Sequence, residues 1–244
     1  MAAAVPRSLT PDDYRRARRH LMRIDPVLGA VVRQIGACGL AERQRQDHLS
    51  ALVGAIVSQQ LSTKAAATIF GRVLALFQDQ TIPDAAALTA IDDVALRGAG
   101  LSGQKVGYLR DLCARIGDGR LRLDELAALP DEAVIERLVS VKGFGRWTAE
   151  MFLMFRLHRP DILPVGDLGI ITAVQRLYRL RTRPDAGRLL KVGEPWRPYR
   201  SGRQPRPAPC GRLAPHRGPG ACAPRVPGSA RGATRRPRPR GPRP

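Results

Sequence analysis

The sequence predicts an all-α fold, and three observations carry that expectation. Through most of the first 200 residues, apolar side chains recur three and four positions apart, the spacing that paints one stripe down a helix. Alternation of apolar and polar residues, the mark of a half-buried strand, is nearly absent. From Ser201 onward the composition turns to Arg, Pro and Gly, which bounds the folded body to residues 1–201.

The predicted helices follow in order. Two come first, near 11–22 and 26–36. In 47–58 the stripe is Leu49, Leu52, Val53, Ile56 and Val57, and 65–77 repeats it with Ile69, Phe70, Val73, Leu74 and Phe77. Helices near 84–98 and 103–117 continue the series. The next, 131–139, carries Val134, Ile135, Leu138 and Val139, and a partner runs over 147–157. The last, 168–180, presents Ile170, Ile171, Val174, Leu177 and Tyr178.

At 244 residues the chain has room for one sizeable domain or two small ones. Its net charge of +20 is unevenly spread: residues 201–244 hold 11 Arg and no acid, leaving +9 for residues 1–200. A basic body favours a polyanionic partner such as nucleic acid, the alternative being a solvated basic surface. No run of 18 apolar residues exists, and the N-terminus lacks the apolar centre of a secretory signal. A soluble cytoplasmic protein is expected, nucleoid-associated if bacterial. Cys38, Cys113, Cys210 and Cys222 are scattered without metal-ligand spacing, so no zinc site or cysteine-held cluster is expected.

The most informative stretch is Leu138-Val-Ser-Val-Lys-Gly-Phe-Gly-Arg-Trp-Thr-Ala-Glu-Met-Phe155. One helix ends near Ser140, Lys142-Gly143-Phe144-Gly145 turns, and a second helix begins near Arg146. Glycine at 143 and 145 allows positive φ and a close approach of the backbone to another group. The second helix presents unpaired N–H groups and the positive end of its dipole at the turn, an anion site. Lys142 and Arg146 add charge beside it, and a DNA phosphate is the natural occupant. Read alone, the segment is also compatible with an ordinary turn between helices.

The composite Val-Lys-Gly-x-Gly-x-x-Thr-Ala, spanning Val141 to Ala149, resembles the hairpin of the helix-hairpin-helix DNA glycosylase superfamily. In that superfamily an essential Asp follows the hairpin by about twenty residues, and Leu163-Pro-Val-Gly-Asp-Leu-Gly-Ile170 places Asp167 there. Ile56-Val-Ser-Gln-Gln-Leu-Ser-Thr63, Gly100-Leu-Ser-Gly-Gln-Lys-Val-Gly-Tyr-Leu109 and Glu194-Pro-Trp-Arg-Pro-Tyr-Arg-Ser201 resemble the branch of the DNA-3-methyladenine glycosylase II type. Together the motifs cover about 45–201. The resemblance implies two helical lobes with a cleft between them, and a helix-hairpin-helix over about 131–157. It also implies base excision from double-stranded DNA carrying alkylated purines such as 3-methyladenine, by a monomer that needs no cofactor.

The resemblance assigns roles as well. Asp167 is the catalytic carboxylate, where by itself it would read as a helix N-cap. Trp147 stands where strand-nicking relatives carry a Lys nucleophile, which implies a monofunctional enzyme with no lyase step. Its ring would attract a flipped cationic base, the alternative being plain core. DNA contacts fall to Lys142, Gly143, Phe144, Gly145, Arg146 and Thr148 of the hairpin. Others fall to Gln59, Gln60, Leu61 and Ser62, where Gln60 aligns with the side chain that fills the gap left by the extruded nucleotide; a polar loop with Leu61 buried is the alternative. The backbone oxygens of Val139, Val141 and Gly143 would hold a monovalent cation, Na+ or K+. The Gly103-Gln104-Lys105 turn reads as a helix start, a phosphate contact being the alternative.

After Ser201 the resemblance stops. The family continues with an apolar helix, typically beginning Val-Ala, while this chain reads Gly202-Arg-Gln-Pro-Arg-Pro. With 11 Pro, 7 Gly, one Leu, one Val and no aromatic, residues 201–244 cannot bury enough surface to offset chain entropy, and a disordered tail is expected. A shifted reading frame in a GC-rich gene would account for the switch: with Gly-Arg-Gln taken as GGT CGC CAG, the frame one base later reads GTC GCC AG. A basic tail that adds non-specific DNA affinity is the alternative. Two rivals to an active enzyme stay open: a non-catalytic helix-hairpin-helix DNA-binding protein, and a version inactivated by loss of that helix.

Overall fold

A computed structural model describes residues 7–36 and 47–203, with the side chains of 202 and 203 excepted. The tail beyond 203, and Cys38, Cys210 and Cys222 with it, lie outside the described residues. Among those described there are helices and turns but no strand, so the all-α class is what the chain adopts. The α-helices are α1 (Pro11–Ile24), α2 (Pro26–Ile35), α3 (His48–Ser58), α4 (Thr63–Leu74), α5 (Ala85–Ala90), α6 (Asp93–Gly98), α7 (Gly103–Gly117), α8 (Asp131–Val139), α9 (Arg146–Phe155), α10 (Leu168–Leu177) and α11 (Ala186–Gly193).

Most of them start on a side-chain cap. Thr10, Asp25, Asp47, Ser62, Asp84, Asp92, Ser102, Asp167 and Asp185 each accept a backbone N–H from the first turn. Each such cap is worth about 0.5–2 kcal/mol. The Asp92 cap, taking the Ala95 N–H at 2.6 Å, also corrects the sequence reading: the single helix expected over 84–98 is two short ones, broken at Ile91. Helix α11 was not expected at all. Of its eight residues only Leu189 puts a large side chain fully inside, too short a stripe to stand out.

The buried apolar residues divide into two main clusters. The larger, in the first lobe, gathers Leu52, Val53, Ile56, Leu88, Leu96, Leu109, Leu112, Val134, Leu138, Ala149 and Leu153 from α3 to α9. The second lobe is built from both sides of the first in sequence: Leu21 and Leu28 of α1 and α2 meet Ile170 and Val174 of α10, Leu189 of α11 and the wholly buried Trp196. At its centre Asp25 does three things. One oxygen caps α2, and the other accepts the Trp196 indole N–H at 2.8 Å and the Tyr178 hydroxyl.

The chain passes between lobes at 156–164, and that segment is pinned. Arg159, 1% exposed, donates to the carbonyls of Ala127 and Leu129 and pairs with Asp131 at 3.4 Å. Asp161 binds Arg197 and Arg200, and the Ser201 hydroxyl accepts the Ile162 N–H at 2.8 Å. Five to eight residues beyond these anchors the chain delivers Asp167.

Candidate active site and nucleic-acid interface

Helices α8 and α9 form the hairpin, and their connection explains its glycines one at a time. Gly143 has φ +83°, a backbone region that side chains disfavour. A Cβ there would also lie 2.3 Å from the Tyr108 ring, so the fold itself demands glycine. Gly145 differs. Its φ is −102°, not the positive value that its residue type allowed, and a Cβ would meet nothing within 4 Å. No contact within the chain requires glycine at 145, which leaves room there for an outside group to approach.

Gly145 is the N-cap of α9, and no side chain caps it. The first N–H groups of the helix therefore face outward with the positive end of the dipole, as an anion site needs. Lys142 is exposed beside it, its backbone N–H held by Asp111 at 2.8 Å. Burial alone would raise the Asp111 carboxyl; hydrogen bonds from that N–H and from Arg115 outweigh it and hold the group below the ordinary range.

Two hairpin residues are placed otherwise than expected. The Phe144 side chain is buried in the first core, so only its backbone is available to a ligand. Arg146 forks onto Glu132, at 2.6 and 3.0 Å, and reaches Glu150 at 3.1 Å. Its charge is offset within the protein, and it braces α8 against α9. Glu150 is buried, which pushes its carboxyl up, with Arg146 opposing. Thr148, one turn into α9, is half-buried.

Trp147 and Asp167 are brought together across the lobes. Trp147 is 50% exposed, not core, and its indole N–H donates to Asp167 Oδ2 at 2.8 Å. Asp167 Oδ1 accepts the Ile170 N–H at 2.9 Å, so the residue caps α10 as well. Each carboxylate oxygen is thus aimed by one donor, and each keeps lone-pair capacity for a second partner.

The turn between α3 and α4 lies against the hairpin. Gln60 has φ +57° and is exposed, and Leu61 is 37% exposed, which excludes the alternative of a buried Leu61. Ser62 caps α4. Gln59 reaches across to donate its amide to the Gly143 carbonyl at 2.8 Å. That oxygen is one of three assigned to a cation, and the Val141 oxygen already accepts the Phe144 N–H at 3.1 Å. Both keep one lone pair, so a monovalent ion fits only as an additional partner to bonds already made. The sequence reading missed Lys105, Tyr108 and Asp111, which hold these segments. Tyr108 and Asp111 left a signal, polar side chains three residues apart on one face of α7, while Lys105, bound to backbone oxygens, left none.

Residues 53–198 match the family described as the HhH-GPD superfamily of base excision DNA repair proteins. The chain belongs to this superfamily. DNA-3-methyladenine glycosylase 1 of Schizosaccharomyces pombe is 34% identical over 159 residues, 65% of this chain and 70% of that one. The structure of the S. pombe 3-methyladenine DNA glycosylase in complex with abasic DNA superposes with a TM-score of 0.68, at 31% identity, over 77% of this chain and 92% of its own. A DNA-3-methyladenine glycosidase from Bacillus halodurans gives 0.66 at 37% identity, over 76% and 84%. Within the HhH-GPD match lie the α3–α4 turn, the hairpin, Asp167 and Trp196. No described helix is long and apolar enough to cross a membrane.

Proposed function

We propose that this protein is a monofunctional DNA glycosylase that hydrolyses the N-glycosidic bond of alkylated purines, 3-methyladenine first among them. The observation that carries the reading is the Trp147–Asp167 pair. A carboxylate held by an indole N–H and a helix N-terminus sits beside a hairpin shaped for a DNA phosphate. As the C1′–N bond breaks, the electron pair leaves with the base and positive charge grows on the sugar. Asp167 stabilises that charge electrostatically and orients a water; the water oxygen bonds to C1′ and one proton is released. An N-alkylated purine is cationic while attached and departs neutral, so it needs no general acid. Trp147 supports the absence of a lyase step, since an indole nitrogen cannot form a Schiff base with the opened sugar. The names of the relatives favour the same substrate class.

The hairpin grips the backbone through Lys142 and the α9 N-terminus, while the Gln60–Leu61 turn fills the gap left by the extruded nucleotide. A monovalent cation on the Val139, Val141 and Gly143 oxygens belongs to this proposal; duplex affinity in K+, Na+ and Li+ at equal ionic strength tests it. For the activity, the wild type and Asp167→Asn are incubated with duplex bearing N-methylated purines and released bases are measured. Release by the wild type alone, with strands intact before alkali, is the expected result. Binding without release by either protein would overturn it.

One observation favours a second reading, in which the second lobe lacks a packing element. Helix α2 leaves apolar surface uncovered: Leu28 and Val32 pack on the core, while Ile35, which continues their stripe two turns past Leu28, and Val27 beside Leu28 are exposed. Apolar surface that continues a core-facing stripe is ordinarily covered. Resequencing the gene across Ser201 tests this, since another frame encoding an apolar helix is required.

A further inference from the structure

We infer that Lys105 is a positioning residue for base extrusion, holding the Gln60–Leu61 turn in register with the phosphate-binding hairpin. The inference rests on the function proposed above and adds a residue to it. Lys105 Nζ donates to the carbonyls of Val57 at 2.7 Å, in the last turn of α3, and of Gln59 at 2.8 Å, its C-cap. A cation belongs there, at the negative end of the helix dipole. Burial lowers its pKa, and the two carbonyls engage the ammonium within the protein.

The same helix holds the other half of the interface. Lys105 and Tyr108 lie one turn apart on α7, with Asp111 one turn further. The Tyr108 ring packs on Gly143, and Asp111 takes the Lys142 N–H. Gln59 closes the circuit: its carbonyl accepts from Lys105 and its amide donates to the Gly143 carbonyl. One rigid helix therefore fixes two segments far apart in sequence, and a direct hydrogen bond joins them. Gln60 needs such support, because a non-glycine residue at φ +57° persists only where its surroundings over-determine it. With the turn locked to the hairpin, gripping the backbone and filling the gap become one event.

The test compares Lys105→Met, which keeps the stem and removes the donor, with Lys105→Arg, which keeps a donor. Hydrogen–deuterium exchange is followed at 59–62 and 141–145, with α10 as the control. In Lys105→Met both segments should exchange about tenfold faster or more while α10 is unchanged, and Lys105→Arg should restore much of the protection. Gln59→Leu cuts the link without touching Lys105 and should loosen the hairpin alone, so the inference is testable even if Lys105→Met folds poorly. Single-turnover excision supplies a second readout. Lys105→Met should lose roughly tenfold or more with the lesion in a matched pair, and only a few-fold opposite a mismatch, where extrusion is easier. Equal loss in both contexts, or a turn that loosens while the hairpin stays protected, would overturn the inference. A wild type without excision would instead remove the proposed function, and the exchange data would still decide whether Lys105 couples the two segments.

Discussion

Gly143 and Gly145 stand two residues apart in one turn, and alanine at each should fail in a different way. At 143 the added methyl group meets two costs. Holding a non-glycine residue in the left-handed region costs about 1–2 kcal/mol. Displacing the Tyr108 ring, 2.3 Å from the new Cβ and held by Gln104 at 2.6 Å, adds about 1–3 kcal/mol of overpacking. A total near 2–5 kcal/mol corresponds to a fall in Tm of about 4–20 °C for a domain of this size. At 145 the φ of −102° suits alanine and the space is open. Alanine is a poorer N-cap than glycine, but the less flexible unfolded chain returns about 0.4–1 kcal/mol, so Tm should barely move. What Gly145→Ala should lose is affinity: a methyl group at the α9 N-terminus keeps a phosphate from its N–H groups, and a tenfold weaker Kd is about 1.4 kcal/mol. Thermal unfolding and duplex titration at fixed salt measure both quantities. A Gly143→Ala protein as stable as the wild type, or a Gly145→Ala protein that binds DNA equally well, would refute this division of labour.

Three further outcomes are expected. Lys142→Gln removes one exposed phosphate contact, so the slope of log K against log salt should flatten by about 0.9 with Tm unchanged; an unaltered slope would place Lys142 off the DNA. Trp147→Phe keeps an aromatic face and removes the hydrogen bond that aims Asp167 Oδ2, so excision should slow by roughly tenfold at nearly constant duplex affinity. If binding and turnover fall together, the indole acts in recognition instead. Burial alone would lift the Asp25 carboxyl, but hydrogen bonds from the Leu28 N–H, the Tyr178 hydroxyl and the Trp196 indole outweigh it and hold the group below its ordinary 3.8. A depressed carboxyl contributes stability above its unfolded value and loses it as pH falls through the folded one, so the second lobe should weaken below about pH 4. Acid titration of Trp196 fluorescence in a Trp147→Phe background should show a shallower transition for Asp25→Asn, and identical transitions would argue against Asp25 as the hub.

The helices were legible wherever one stripe was long enough to register. Asp47–Ser58 could be read from five apolar residues, because packing and propensity agree there. Helix α11 could not, since a short helix on the edge of a small core needs only Leu189 inside. Asp167 could be placed by its distance from the hairpin, and its neighbour Trp147 by the same motif, but not the bond between them, which depends on how two lobes close. Arg146 shows what sequence leaves out. A basic residue beside an anion site reads as a ligand contact in sequence, while its partners Glu132 and Glu150 become visible only when α8 is laid against α9. Lys105 was passed over for the same reason: its two carbonyl partners are backbone atoms 48 and 46 residues away, which no side-chain pattern reports.

The second lobe has a consequence for how the protein is made. Asp25 emerges early from the ribosome, and the indole that completes its site follows 171 residues later. At ~5–20 residues per second, α1 and α2 wait on the order of ten seconds or longer for α10, α11 and Trp196. The first lobe is contiguous from α3 to α9 and can close in that interval, so the nascent chain should carry one finished lobe and one helix pair whose apolar face needs shelter. Truncations before Trp196 should therefore be the species most dependent on chaperones, and the most prone to associate through α2.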